Sequence, residues 1–203
     1  MGIETHPSWY RDIPTLRTLI LGSFPPHPSK HDYPFYYPNG RNRFWKILAD
    51  IADMPLEWTK IDPVKAVEER YAIMQKLETG VQNIGYEIER KGTSALDTDI
   101  RITKYQDILS IINAHPELTR ILLPGYSAEH STTRSFLNYI TANGIRCSSI
   151  PPIKAEAVFT IYYQGREIEC IVLNSTSTAA KIKYNVLLEQ FKRNMIKKSN
   201  SPF

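Results

Sequence analysis

The feature of this chain that most restricts its fold is the alternation of short apolar segments with longer amphipathic ones. Short apolar runs bounded by turn residues are typical of strands buried on both faces, and strands that alternate with helices form parallel sheets. The pattern predicts an α/β fold, a three-layer α/β/α sandwich with a central four-stranded parallel sheet. The strands are expected near 17–22, 81–84, 120–124 and 168–174, with an antiparallel hairpin arm formed by 157–163 and 167–173.

Helix signals lie between these strands. Asp62 followed by Pro63 is a typical helix start, and Thr103–Gln106 has the form of a capping box. The expected helices run near 42–53, from Pro63 to Gly80, from the capping box at 103–106 onward, from the cap Ser127 to Asn143, and from about Ala179 to Met195.

The same pattern places the functional site. In parallel α/β sheets, ligands bind outside the carboxyl ends of the strands. Gly22-Ser23, Pro124-Gly125 and Asn174-Ser175 each follow a predicted strand, so we expect them to lie at one edge of the sheet.

Length and composition fit this fold and exclude several other classes of protein. With 203 residues, 42% of them hydrophobic, the chain suits a single domain, 1–203, with a core over about 15–192 and flexible ends. No apolar run is long enough to span a membrane, and the N-terminus lacks an export signal. Two cysteines do not make a disulfide framework, so we expect a cytoplasmic protein, and we take it to be a monomer.

The net charge of +4 permits a partner with a phosphate backbone without requiring one. The basic cluster Lys192-Arg193 with Lys197-Lys198 is interpreted as a solvated terminus. Arg41 and Arg43 are better candidates for DNA contacts, because they follow a loop that is unusually rich in aromatic residues.

That loop begins where the first strand ends. Gly22 allows the backbone to approach a ligand closely, and the prolines after it fix the loop. Four aromatic side chains in the next few residues are too many for an ordinary polar loop. They predict the lining of a pocket for a flat ligand, and they are Tyr33, Phe35, Tyr36 and Tyr37.

Two blocks of sequence carry a family resemblance. The first reads Gly22-Ser23-Phe24-Pro25, then Tyr36-Tyr37, then an asparagine at 42 before Phe44-Trp45; the second is 171–179, a strand followed by Ser-Thr-Ser. Together with 83–100 and 121–125, they resemble the uracil-DNA glycosylase superfamily, and most closely its hypoxanthine-DNA glycosylase and mismatch-specific branches. The similarity is collinear over about 15–192. Other branches carry Asp or Asn where Phe24 stands and a histidine in the second block, and this chain has neither.

The resemblance implies a monofunctional DNA glycosylase that removes hypoxanthine or uracil from DNA without a metal or cofactor. It assigns catalysis to Asn42, whose amide can hold a water with its oxygen and donate from its NH2 group. It assigns the flipped base to a pocket formed by Gly22, Ser23, Phe24, Pro25, Tyr37 and Phe44, with Tyr37 stacking on the base. It assigns DNA contacts to Asn174, Ser175, Thr176 and Ser177, where hydroxyls before a helix suit phosphate, beside Arg41 and Arg43.

Alternatives remain open at this point. Asparagine is also a preferred helix cap, so Asn42 has a purely structural interpretation. The chain is either a DNA glycosylase, a catalytically weak or inactive nucleic-acid-binding member of the same fold, or a small-molecule α/β hydrolase.

Overall fold

A computed structural model describes residues 2–94 and 97–195 of the chain. Within these residues, nine strands form two sheets. They are β1 (Ile3–Thr5), β2 (Thr18–Gly22), β3 (Thr79–Asn83), β4 (Gly85–Arg90), β5 (Ile100–Tyr105), β6 (Arg120–Pro124), β7 (Arg146–Cys147), β8 (Val158–Tyr163) and β9 (Arg166–Leu173).

The larger sheet has six strands in the order β3-β2-β6-β9-β8-β7. The first four run parallel, with Leu19 paired to Gly80 on one side and to Ile121 on the other, whereas β8 and β7 run antiparallel. This confirms the predicted parallel sheet with a hairpin arm. The hairpin turns at Gln164 and Gly165, which both have positive φ, the conformation that a tight turn matching the twist of two strands requires.

In the described part of the chain, five α-helices cover this sheet: α1 (Phe44–Ala52), α2 (Pro63–Lys76), α3 (Ile108–Ala114), α4 (Thr132–Ala142) and α5 (Tyr184–Met195). Every residue of β2 is buried, which requires cover on both faces of the sheet. Helix α1 packs against α2 and α5. Helix α3 meets α4 where the backbone N–H of Leu109 donates to the Tyr139 hydroxyl at 3.2 Å. No helix among the described residues has the length and apolar character to cross a membrane.

The smaller sheet, β1-β4-β5, is antiparallel and was not expected. Thr103–Gln106 was interpreted as a capping box, but most of it lies in β5, and α3 is capped instead by Asp107, whose Oδ1 accepts from Ser110 N at 3.0 Å. The N-terminus was expected to be flexible, yet Ile3 pairs with Glu89 in this sheet. The other expected flexible end begins after about 192; residues 193–195 lie in α5, and the rest of it lies outside the described residues.

Several helix bounds also differ from the prediction. Helix α4 begins after Ser131, four residues beyond the expected cap Ser127. Helix α2 ends at Lys76 and does not reach Gly80, which lies inside β3. Gly80 packs closely there, since a Cβ atom on it would come 2.8 Å from the Leu16 side chain. Helix α5 begins at Tyr184, and the residues after Ala179 form only a single 3-10 turn and a loop.

Candidate functional site

Three loops meet at the carboxyl edge of the parallel sheet. Gly22 pairs with Asn83 at the ends of β2 and β3, and Pro124 pairs with Leu173 at the ends of β6 and β9. Gly125 then donates its N–H to the Leu173 carbonyl at 2.9 Å. The prediction that the strand-ending residues share one edge is confirmed.

Gly22 forms a tightly packed floor at this edge. A Cβ atom on Gly22 would lie 2.5 Å from Nδ2 of Asn83 and 3.2 Å from the hydroxyl oxygen of Tyr37. A side chain at this position would have to displace the Asn83 amide, so glycine permits the close packing seen here. The close approach also brings an amide and a phenol hydroxyl together over the end of β2.

Tyr37 lies beside Gly22 on a rigid support. Its ring stacks on Phe44, with centroids 3.8 Å apart and planes inclined by 17°, while Phe44 itself is fully buried. The φ of Tyr37 is 47°, a strained value for a residue with a side chain. Tyr33 holds this conformation, because its hydroxyl donates to the Tyr37 carbonyl at 2.5 Å. Phe44 therefore holds the Tyr37 ring in place by stacking on one of its faces.

The other aromatic residues of the loop were expected to line the pocket, and in the structure they belong to the core. Tyr33, Phe35 and Tyr36 are at most 3% exposed. The Arg70 guanidinium lies 3.9 Å from the Tyr33 ring centroid, and burial raises the pKa of Tyr33 to about 12. The loop is rich in aromatic residues because three of the four rings pack in the core beneath it. Only the fourth, Tyr37, is half-exposed.

Asn42 joins the first loop to the loop after β9. Its Oδ1 accepts from the backbone N–H of Phe44 at 3.0 Å and from the Thr176 hydroxyl at 2.7 Å. Since a backbone N–H can only donate, the oxygen of the amide must point this way. Both lone pairs of Oδ1 are therefore engaged. Nδ2 has no hydrogen bond to any described residue, so the amide offers a ligand its donor group.

The contact with Phe44 N also agrees with the helix-cap interpretation of Asn42, because this N–H belongs to the first residue of α1. Arg43, at the cap position itself, makes no side-chain cap bond. The structure thus gives Asn42 a capping contact through its oxygen and leaves its NH2 group available.

The loop after β9 differs from the expected anion site. Ser175 Oγ accepts from the Ser177 backbone N–H, and Ser177 Oγ accepts from that of Ala179, each at 3.3 Å. The turn that follows is a three-residue 3-10 helix, so it presents no helix N-terminus suited to phosphate. Asn174 is bound at its N–H by Gln190 at 2.9 Å. These side chains shape the loop, and Thr176 aims its hydroxyl at Asn42.

Arg43 fastens this loop to α1. Its guanidinium donates to the carbonyls of Thr176 at 3.1 Å, Ser177 at 2.6 Å and Ile182. Arg43 was expected to face DNA, but these contacts make it a clamp between two loops. The sequence signal for this role was absent, because the three carbonyl partners lie more than a hundred residues away.

The exposed cations near the clamp are Arg41, Lys181 and Lys183. None of them forms an ion pair with a described carboxylate. The two lysines flank Ile182, whose carbonyl binds Arg43. Sequence reasoning missed both lysines, because it placed them inside a helix.

Ser23, Phe24 and Pro25 continue from Gly22 along the edge of the smaller sheet. Ser23 accepts from the N–H of Gly85 at 3.0 Å through its carbonyl, and buried Pro25 accepts from Arg90 at 2.7 Å. Phe24 is half-buried and lines a cleft of about 290 Å³ with Pro25 and His31. The segment is therefore held rigidly from behind.

Two further residues of the site were missed. Asn83 is 6% exposed at the end of β3, and its Oδ1 lies 3.0 Å from Nε2 of His6, which is also 6% exposed. Burial lowers the pKa of His6 below its usual 6.5. Asn83 could have been found by the rule that singled out Asn174, since both follow a buried strand.

The chain is similar in structure to a solved protein. It superimposes on the solution NMR structure of a candidate uracil DNA glycosylase from Methanosarcina acetivorans with a TM-score of 0.61 and 17% sequence identity, over 96% of this chain and 97% of that one. This likeness confirms the predicted uracil-DNA glycosylase-like fold. The sequence matches no family model and no curated protein.

Proposed function

We propose that this protein is a monofunctional DNA glycosylase of the uracil-DNA glycosylase superfamily, from its hypoxanthine-acting and mismatch-specific branches. Its substrate would be DNA with a deaminated base, hypoxanthine or uracil, rotated out of the duplex. The similarity of fold supports this proposal. So does the agreement between the motif residues expected from the sequence and those gathered at the carboxyl edge of the sheet.

The observation that carries the proposal is the fixed amide of Asn42. Two donors on its oxygen, from Phe44 and Thr176, orient the group and leave Nδ2 unpaired by the described residues. A helix cap requires only the hydrogen bond from Phe44 N–H. The additional hydrogen bond from Thr176, in the loop after β9, is not needed for capping. The clamp by Arg43 maintains this arrangement.

Cleavage of the bond between base and sugar would be helped by a hydrogen-bond donor such as the Asn42 NH2 group. Breaking the bond between base and sugar makes the sugar positive and oxocarbenium-like and puts negative charge on the departing base. A preorganised N–H aimed at that base stabilises the charge in the transition state. Because the sugar becomes strongly electrophilic, water can attack it without an ionisable base, which an asparagine could not supply. We propose that Asn42 Nδ2 donates to the departing base.

The remaining residues would bind the substrate. Tyr37, supported by Phe44, presents a ring on which a flat base can stack, an interaction worth about 1–3 kcal/mol. Gly22, Ser23, Phe24 and Pro25 would form the wall and floor of the base pocket. The loop 174–177 would follow the DNA strand, with phosphates attracted by Arg41, Lys181 and Lys183.

A cleavage assay tests the function. Duplex oligonucleotides that each carry one hypoxanthine, uracil or xanthine are incubated with the protein, and alkali then cuts the strand at every abasic site. We expect cleavage at hypoxanthine or uracil and none in the undamaged duplex. Tight binding to the damaged duplex without base release would instead support an inactive DNA-binding member of the fold.

A further inference from the structure

His6 lies behind the candidate base pocket, in a segment outside the family resemblance. It follows β1 and donates its backbone N–H to the Tyr86 carbonyl of β4 at 2.7 Å. Its ring meets the rings of Trp9 and Phe24 edge-on, with centroids 5.6 Å apart in both cases. The N-terminal strand therefore places a buried imidazole against the end of β3.

The two ring nitrogens of His6 face different partners. Nδ1 lies 2.6 Å from the Pro7 carbonyl, which can only accept, so Nδ1 carries a hydrogen. A neutral imidazole has a single N–H, and its Nε2 would then be an acceptor. Nε2 lies 3.0 Å from Oδ1 of Asn83, and these two atoms form a hydrogen bond only when the ring is protonated.

A neutral His6 requires the opposite orientation of Asn83. Rotation of the amide by half a turn exchanges its oxygen and nitrogen, so that Nδ2 donates to His6 and Oδ1 faces Gly22. The amide atom of Asn83 that does not face His6 lies 2.5 Å from the position of a Gly22 Cβ, at the floor beside Tyr37. The charge on His6 thus determines whether that floor offers an acceptor or a donor.

We propose that His6 is a positioning residue that sets which atom of the Asn83 amide meets the base, Oδ1 when the imidazole is neutral and Nδ2 when it is protonated. This rests on the proposed glycosylase function. A deaminated base carries a ring N–H next to a carbonyl oxygen. With neutral His6, Asn83 Oδ1 accepts a hydrogen bond from the ring N–H of the base. With protonated His6, Asn83 Nδ2 donates a hydrogen bond to the carbonyl oxygen of the base.

The surroundings favour the neutral form near pH 7. Burial lowers the pKa of His6, and the hydrogen bonds that its ring donates to Asn83 and Pro7 only partly oppose that shift. Burial raises the pKa of the adjacent Tyr36, so this ring stays uncharged. Glu4 of β1 and Arg90 of β4 neutralise each other in an ion pair of 2.8 Å.

NMR tests the coupling without any need for activity. The ring nitrogens of His6 and the side-chain amide of Asn83 are followed in the 15N-labelled full chain between about pH 4.5 and 8. We expect His6 to titrate below 6.5 and the Asn83 amide signals to move with the same midpoint. The matched control is His31→Gln, because His31 is another loop histidine with a lowered pKa, and this variant should leave the coupling intact. Asn83 signals that stay unchanged while His6 titrates, or a His6 that stays neutral throughout, would overturn the proposal.

Base release tests the consequence for specificity. The ratio of rates on hypoxanthine and on 1-methylhypoxanthine, which lacks the ring N–H, should fall by roughly three- to tenfold as His6 is protonated, the value of about one hydrogen bond. In His6→Gln, which hydrogen-bonds without titrating in this range, the ratio should not depend on pH. A pH-dependent ratio in His6→Gln would contradict the proposal. A wild-type protein that releases no base at any pH would refute the glycosylase function, and the NMR result would still decide the coupling.

Discussion

Single residues at the site hold conformations that packing alone would not select. Tyr37 has a φ of 47° and is kept there by the Tyr33 hydroxyl. Strained backbone of this kind costs about 1–3 kcal/mol and is found mainly where function needs a fixed geometry. The stacked position of the Tyr37 ring therefore depends on a residue that no ligand would contact.

Tyr33→Phe tests this dependence. Losing the hydroxyl should let Tyr37 relax and lower base release by about tenfold, with a stability loss of about 1 kcal/mol for one hydrogen bond. Single-turnover kinetics and thermal unfolding measure the two effects. The control Tyr71→Phe removes the same type of bond, a phenol to the Asp12 carbonyl, and should change stability alone. Equal kinetic losses in both variants would contradict a special role for Tyr33.

Gly22→Ala tests the tight floor. The added methyl would meet Asn83 Nδ2 at 2.5 Å, and overpacking of this kind costs about 1–3 kcal/mol. We expect a lower melting temperature and loss of base release. Gly2→Ala serves as the control, because a Cβ at that position meets nothing within 4 Å. An active, stable Gly22→Ala variant would show that the floor is not rigid.

At the scale of elements, the clamp between α1 and the loop after β9 is the structural link that the candidate site requires. Arg43 holds three carbonyls of that loop, and Thr176 returns a hydroxyl to Asn42. The two motifs expected from the sequence are thus joined by hydrogen bonds rather than merely adjacent.

Arg43→Met keeps the length of the side chain and removes its donors. Hydrogen exchange in the loop 174–183 should become faster, and base release should fall, while the melting temperature changes little for a half-buried residue. Arg41→Met is the matched control, since the Arg41 side chain is exposed and binds no carbonyl of a described residue; it should leave loop exchange unchanged. Unaltered exchange in Arg43→Met would contradict the clamp.

Sequence reasoning identified the elements whose signal is local. The parallel strands were found because burial on both faces makes them continuously apolar, and the hairpin because Gln164-Gly165 marks its turn. The smaller sheet was missed because β4 and β5 are mixed in polarity and depend on β1, far away in sequence. Residues 103–105, which were expected to begin a helix, lie instead in strand β5, which pairs with β4.

The same distinction applies to the site. Gly22, Asn42 and Tyr37 lie in one motif, which is why the sequence alone could name them as site candidates. The roles of Arg43, Thr176 and His6 come from partners 77 to 139 residues away, and no local pattern encodes such contacts. The aromatic loop was interpreted as a pocket lining because its rings are dense, whereas burial assigns three of them to the core.

At the scale of the whole molecule, the net charge of +4 is modest, and the position of the charges matters more. Arg41, Lys181 and Lys183 are exposed beside the candidate site, without carboxylate partners among the described residues. Many other cations are neutralised locally, as in the pair of Arg120 with Glu169 at 3.0 Å. These three cations therefore give the carboxyl edge of the sheet a positive charge that no described carboxylate pairs.

This distribution predicts salt-dependent binding to DNA. The logarithm of affinity should fall linearly with the logarithm of salt concentration, and each phosphate contact that is lost should reduce the slope by about 0.9. Alanine at Arg41, Lys181 and Lys183 together should flatten the slope, whereas Lys192→Ala in the terminal helix should not. Fluorescence anisotropy with damaged duplex measures both. Affinity independent of salt would contradict DNA binding at this edge.

The central claim is that the Asn42 amide catalyses base release, and single-turnover kinetics on a duplex with one hypoxanthine or uracil tests it most directly. Loss of a catalytic group costs about 10²–10⁴ in rate, whereas loss of an asparagine cap costs ~1 kcal/mol, a shift of about 2–4 °C in melting temperature. Asn42→Ala should therefore lose nearly all base release and remain folded and able to bind DNA. Asn42→Asp, which keeps the oxygens but cannot donate when ionised, should also be strongly impaired. Asn42→Ala that melts earlier but cleaves at the wild-type rate would contradict the account and leave Asn42 as a helix cap.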